Sequence, residues 1–547
     1  MRLHRPVIGS VSLSLLTAAF LLVGPNQTFW RKGLEYFSGH LDKLVWLGLG
    51  LFCLLSAILV IVSVKYVIKP VLIALVLVAA SASYYVNTFG VLIDREMIQN
   101  VALTTTSEAK HLFTPNLILH LVLFGLLPSL AIAFVRVRHR RFPAKLLYNT
   151  LTVFALLGGA ALATFLNYSA FASTFRQHRD LIASLNPSAP VVAAFQFASR
   201  EMEDRNLTPA PLGTDAAKGP LIVKAGKPVL TVFVVGETAR AQNFGLNGYE
   251  KNTTPELAAR GVFNFSNVSS CGTSTAVSVP CMFSNYPRRD YSERKAHSTE
   301  NLTDVLTHAG VKVEWYDNDT GSMRVAERIP YEFLPATNDP RFCSGGECHD
   351  EILVDRLKRA LPSVQSDTVI VLHQLGSHGP AYFERYPKDF ERFQPACQTA
   401  QFADCERAEI VNAYDNTILY TDHVLSEIID TLKGEDRLST ALFFVSDHGE
   451  SLGENGLYLH AAPYFIAPST QTHVPQVAWF SQSYQTAFGI DTSCLKARAS
   501  ADLSHDNVFH TILGLMDVST SVYSRELDAF APCRGTGKTL ASIGTRP

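Results

Sequence analysis

Five apolar runs without a charged residue occupy the first third of this 547-residue chain: Val7–Val23, Leu44–Val64, Val71–Val86, Leu117–Val135 and Leu146–Leu166. A backbone in lipid must satisfy its own hydrogen bonds, and a helix needs about 20 apolar residues to cross the hydrocarbon core. The runs predict an N-terminal α-helical membrane domain over residues 1–166 with five spans. Arg2 and Arg5 precede the first run as in a signal peptide. Gly24-Pro25-Asn26-Gln27 offers no small-x-small cleavage site, so the run is read as an uncleaved anchor. Basic residues stay on the cytoplasmic side. Arg2 with Arg5, Lys65 with Lys69, and Arg136–Arg141 with Lys145 mark that side. Five crossings then put loop 87–116 and everything after Leu166 outside. The spans lack Asp, Glu, Lys and Arg, which argues against a transporter or receptor. A net charge of −2 implies no polyanion-binding surface, so nucleic acid is not an expected partner.

Cys53 lies inside the second run, and the other eight cysteines all follow Leu166. An even number of thiols in an oxidising compartment predicts disulfides. The close pairs are Cys271–Cys281, Cys343–Cys348 and Cys397–Cys405, and elimination leaves Cys494 with Cys533. Zinc binding by these thiols is the competing reading, although the spacings are not C-x-x-C. Residues 167–228 read as a bridge: helical stretches with Phe171, Phe175, Leu181 and Ile182 along the membrane, then a Pro/Gly/Ala-rich linker from Leu207 to Pro228. Residues 229–547 alternate buried strands (Leu230–Val235, Thr368–Leu372, Ala441–Val445) with helical patterns such as Glu406–Lys433, which predicts an α/β domain with a mostly parallel sheet.

Ligands in open α/β sheets bind beyond the carboxyl ends of the strands. The three apolar strands lead to Glu237, His378 and Asp447-His448, so these side chains should converge on one rim. The stretch Ser270–Phe283 is rich in hydroxyls, bracketed by Cys271 and Cys281, and reads as a helix start. By itself it is more simply a capped helix with a disulfide. Glu237, Asp447, His448 and the Thr275 hydroxyl together make an oxygen/nitrogen set suited to zinc. A cation there would activate an otherwise poor nucleophile. His378 and His460 are second-rank ligands or general acids, against the plainer reading of two structural histidines. In loop 87–116, Asn100, Thr104 and Glu108 recur at i, i+4 and i+8. On one helix they form a polar stripe: either a solvated face or a grip on a lipid head group.

Val235–Arg240, Cys271–Thr275, Ser278–Phe283, His373–Pro380 and Ser446–Glu454 closely resemble the phosphoethanolamine transferases of Gram-negative inner membranes. The lipid A-modifying branch, with its colistin-resistance enzymes, is the most similar. The resemblance covers nearly the whole chain. It implies an alkaline-phosphatase/sulfatase-like domain with one tightly bound zinc at Glu237, Thr275, Asp447 and His448, and a possible second. It implies Thr275 as nucleophile, with His378 and His460 as second-metal or substrate-binding residues. It implies phosphatidylethanolamine as donor, contacted by Asn100, Thr104 and Glu108, and a lipid A phosphate of lipopolysaccharide as acceptor. The expected result is polymyxin resistance, from a monomeric inner-membrane protein with a periplasmic catalytic domain. After Asp317-Asn318, Met323 stands where many members carry a phosphate-contacting lysine, and neighbouring Arg324 is the candidate replacement. Transfer to core sugar or Kdo, or of phosphoglycerol, is the alternative. Sulfatases themselves need Cys or Ser followed by x-Pro-x-Arg, and Ser278-Val279-Pro280-Cys281-Met282 lacks the arginine.

Overall fold

The computed structural model describes residues 5–204 and 207–535, with backbone alone at 107 and 108. Arg2 and the Glu108 side chain therefore lie outside the described residues. The chain forms two compact units, Met1–Gln99 with Phe113–Ser199, and Asn100–Leu112 with Arg200–Pro547.

The first third of the chain folds into α1 (Ser10–Val23), α2 (Gln27–Tyr36), α3 (Leu41–Ile61), α4 (Ile68–Phe89), α5 (Arg95–Leu103), α6 (Thr106–Leu112), α7 (Pro115–Phe134) and α8 (Phe142–Leu166). Helices α3, α4, α7 and α8 are each long and apolar enough to cross a membrane. Where α3 meets α8, a methyl added at Gly159 would lie 3.3 Å from Cys53 Sγ, so the small residue permits the close approach. The first expected span takes a different form. Helix α1 has 14 residues, about 21 Å at 1.5 Å per residue, short of a core about 30 Å thick. It joins α2 at a 65° bend, and the pair counts as a fifth span only if taken together. Pro25 has no N–H to continue the helical ladder, and Asn26 Nδ2 donates back to Leu21 O at 2.7 Å.

The outward loop also departs from expectation. Its polar stripe does not lie on one helix. Helix α5 ends at Leu103 and α6 begins at Thr106. At the break, Thr104 N–H and Oγ1 both donate to Asn100 O at 2.8 Å. Three successive threonines, β-branched and able to bond backward, disfavour an uninterrupted helix there.

The larger unit is built on an eight-stranded sheet of β1 (Val229–Gly236), β2 (Phe263–Ser269), β3 (Lys312–Asp317), β4 (Tyr331–Phe333), β5 (Thr368–His373), β6 (Ser439–Ser446), β7 (His473–Phe480) and β8 (Leu503–Ser504). The order is β8-β2-β7-β6-β1-β5-β3-β4, and β7 alone runs against the rest. The central strands β1, β5 and β6 are buried along their whole length, which is why they read as continuous apolar runs. One core face gathers Phe233, Phe443, Phe283, Trp315 and Phe530. The Arg407–Lys433 helix starts with a capping box between Glu406 and Glu409. All four expected disulfides are present, including Cys494–Cys533.

Residues 207–228 are not a free linker. Ala217–Lys218 pairs with Val518–Ser519. Leu221 and Ile222 enter the main core, and their N–H groups donate to Asp517 Oδ2 at 2.6 and 3.2 Å. Proline and glycine here shape a packed segment whose composition alone resembles a spacer.

Candidate active site

Register sets the site. Asp317, His373, Val235 and Val445 lie side by side across β3, β5, β1 and β6. The residues after these strand ends therefore emerge on one edge. Asp447 N–H donates to Gly236 O at 2.9 Å, which brings Asp447 beside Glu237. The loop after β5 folds tightly over the same edge. Gly376 has φ +54°, and a Cβ there would lie 2.5 Å from Glu237 O, so only glycine fits.

Thr275 opens the helix α9 (Thr275–Met282), whose N-cap, Ser274, is extended and makes no side-chain cap. Thr275 Oγ1 donates to Glu237 Oε2 at 3.0 Å and lies 3.5 Å from His448 Nε2. His448 Nε2 lies 3.3 Å from Asp447 Oδ2 and 3.6 Å from Glu237 Oε1. Glu237, Asp447 and His448 are at most 1% exposed. The structure thus brings together all four residues expected to hold the metal.

The donors are aimed. His448 Nδ1 faces Gly449 O at 2.9 Å, which places the proton on Nδ1 and leaves the Nε2 lone pair facing the carboxylates. Asp447 Oδ1 accepts from the N–H groups of His448 and Thr238, at 2.6 and 3.2 Å. Asp447 Oδ2 and Glu237 Oε1 are buried and make no hydrogen bond. Two buried carboxylate oxygens and an imidazole lone pair converging on one point are costly unless a proton or a cation joins them. Two ligands at about 2.1 Å from one tetrahedral ion stand about 3.4 Å apart, close to the separations seen here. These residues fit zinc. Burial, with Asp447 and Asp319 nearby, pushes the Glu237 carboxyl well above its ordinary range. Burial lowers the His448 imidazole to about 4, so it is neutral at physiological pH, as a ligand must be.

His460 stands beside this cluster, and His378 stands beside His460. The His460 ring centroid is 4.6 Å from that of His448 and 5.4 Å from that of His378. His460 Nδ1 lies 2.9 Å from Glu450 Oε2, and Glu450 also accepts from Tyr382 OH at 2.6 Å. Arg324 lies elsewhere: it pairs with Glu327 at 2.9 Å and lines a crevice with Pro280, Ser284 and His297. Its described contacts do not reach the four metal-site residues.

Three residues escaped the sequence reading. Asp317, Asp319 and His373 form a second buried group against Glu237, and ligand atoms of Glu237, Asp319 and His373 lie within 4.8 Å of one another. The signal was present, since β3 ends at Asp317 and β5 at His373. Strand β3 alternates Lys312 and Glu314 with apolar residues, so it is not a continuous apolar run.

The chain matches known proteins along nearly its whole length. A family model described as Sulfatase matches residues 230–518, and one described as Phosphoethanolamine transferase EptA/EptB matches residues 51–202. The phosphoethanolamine transferase EptA of Salmonella typhimurium is 39% identical over 540 residues, covering 97% of this chain and 98% of that protein. The phosphatidylethanolamine transferase Mcr-1 of Escherichia coli is 37% identical over 535 residues, covering 94% and 96%. The solved structure of lipooligosaccharide phosphoethanolamine transferase A from Neisseria meningitidis superposes with a TM-score of 0.93 at 38% identity, covering 97% of this chain and 100% of that one.

Proposed function

Because this chain belongs to the phosphoethanolamine transferase family, we propose that it moves phosphoethanolamine from phosphatidylethanolamine to a lipid A phosphate through a covalent intermediate on Thr275. It is a multi-pass protein of the bacterial inner membrane with its catalytic unit in the periplasm. The observation that carries the reading is the Thr275 hydroxyl at a helix start, 3.0 Å from Glu237 and 3.5 Å from His448.

Zinc held by Glu237, Thr275, Asp447 and His448 would supply Lewis-acid charge that acidifies the threonine hydroxyl. Glu237 Oε2 already accepts the Thr275 proton's hydrogen bond, so it orients Oγ1 for attack. The Thr275 and Ala276 N–H groups at the start of α9 receive no side-chain cap from Ser274 and can donate to a phosphoryl oxygen. In the first half-reaction the Thr275 Oγ–P bond forms as the hydroxyl proton passes to Glu237 Oε2, the bond from phosphorus to the diacylglycerol oxygen breaks, and His460 or His378 protonates that leaving oxygen. In the second, a lipid A phosphate oxygen attacks phosphorus, the Thr275 Oγ–P bond breaks, and Oγ recovers its proton from Glu237 Oε2. The added amine offsets negative charge on the outer surface, which weakens binding of polymyxin-like cationic peptides.

The test is mass spectrometry of lipid A from cells with and without the enzyme, together with intact-mass analysis of the protein after exposure to the donor. Wild type should add phosphoethanolamine to lipid A and carry the matching adduct. Thr275→Ala should keep its four disulfides, lose the adduct and lose transfer by about 10³-fold or more. Transfer by Thr275→Ala at the wild-type rate would overturn the covalent route.

A further inference from the structure

The Glu237 carboxylate faces buried groups on two sides. On one side are Asp447 and His448, and on the other Asp319 and His373, all at most 4% exposed. The second side is as deliberately aimed as the first. Asp317 Oδ2 accepts from Trp315 Nε1–H at 2.8 Å and lies 3.1 Å from His373 Nδ1. Trp315 can only donate, so that carboxylate is held as an acceptor and the His373 Nδ1–H points to it. A carboxylate behind a histidine in this way fixes the ring and turns Nε2 toward its ligand. Asp317 Oδ1 meanwhile accepts from the N–H groups of Asp319 and Gly321, at 3.0 and 3.2 Å, which fixes the turn carrying Asp319.

His373 Nε2 is buried and makes no hydrogen bond. It is aimed at Asp319 Oδ2, 3.7 Å away, and at Glu237. A proton on Nε2 would need an acceptor at about 2.7–3.2 Å, and 3.7 Å is too long. Two ligands of one tetrahedral cation stand about 3.4 Å apart, which suits this separation better. We propose that Glu237, Asp319 and His373 hold a second divalent cation, with the Glu237 carboxylate shared between it and the first. The donors are two carboxylates and one imidazole, a set that takes zinc or manganese. Asp317 is the positioning residue that keeps His373 Nε2 turned inward.

The inference rests on the metal reading of the first site, and metal counting separates the two. The full-length enzyme, purified, stripped and reloaded with zinc or manganese, should carry about two metal equivalents by elemental analysis. Asp319→Asn, nearly isosteric, and His373→Gln should each retain about one. His448→Ala should also retain about one, and the His448→Ala/Asp319→Asn double variant none. Calorimetric titration of metal-free wild type should resolve two binding events without any substitution. One equivalent in wild type, kept by Asp319→Asn and His373→Gln but lost in His448→Ala, would overturn the second site and leave the first standing. In that case His373 is an imidazolium paired with its aspartates. No retained metal at all would overturn both.

Discussion

Thr238, directly after Glu237, has φ +53° although its side chain is β-branched. Such a conformation costs on the order of 1–3 kcal/mol and persists only where neighbours hold it. Tyr414 does so: its hydroxyl donates to Thr238 O at 2.7 Å and accepts from Arg240 N–H at 2.9 Å. Tyr414→Phe would leave both backbone groups buried and unpaired, so we expect a loss of about 1–3 kcal/mol for each in denaturant unfolding. Metal retention should weaken with it, because Glu237 is aimed by the same turn. His505 makes a second residue-level prediction. Its Nδ1 accepts from Cys271 N–H at 3.0 Å and its Nε2 faces Ser446 O at 3.0 Å, which defines a neutral ring. Burial lowers it from 6.5 to about 4. The unfolded chain therefore binds a proton that the folded one refuses. Its contribution is intact above pH 6.5 and falls by up to about 3 kcal/mol as pH drops toward 4. His505→Gln should flatten that fall in pH-dependent unfolding curves. The sequence made Glu237, Asp447 and His448 legible because each follows a fully apolar strand. It hid the roles of Thr238 and His505, since an αL threonine and a bridging histidine have no pattern of their own.

At the scale of elements, the sequence was read best where one physical rule governed the whole segment. Buried parallel strands and the 27-residue helix ending at Lys433 follow directly from apolar period and caps. The α5–α6 stretch was misjudged because spacing alone cannot see that Thr104 and Thr105 interrupt a helix. Helix α6 is instead held by a side chain the spacing did not single out. His111 Nε2 lies 3.3 Å from Glu347 and 3.4 Å from Glu384. Although burial opposes it, hydrogen bonding from His111 and the Arg385 charge hold the Glu347 carboxyl at about 2. Substituting His111→Leu should therefore raise hydrogen exchange across Thr106–Leu112 while β1 stays protected. The disulfides also differ by element. Cys494–Cys533 spans 39 residues and Cys343–Cys348 spans five. Loop-closure entropy assigns them about 4 and about 2 kcal/mol, so serine replacement of the first pair should lower the urea midpoint more.

For the whole molecule, the two-part architecture was legible from hydropathy, and the place where the parts divide was not. Residues 207–228 read as spacer, yet they complete the core of the catalytic unit through Leu221 and Ile222. A chain beginning at 207 should fold and keep its metal without the membrane helices. A chain beginning at 229 loses burial of those two side chains, about 3–6 kcal/mol, and strands Asp517 without its N–H donors. Urea unfolding of the two fragments measures the difference, and equal midpoints would show that the segment is only a tether.

The bracket of Cys271 and Cys281 around the start of α9 bears on when the enzyme becomes competent. The ring they close contains Thr275 and most of α9. Thiols in the cytosol are kept reduced, so a nascent or wrongly inserted catalytic unit would meet its substrates with that ring open. Until export and oxidation the start of α9 lacks this covalent clamp. If Thr275 is the nucleophile, as proposed, the disulfide ties the stiffening of its helix to arrival on the oxidising side of the membrane.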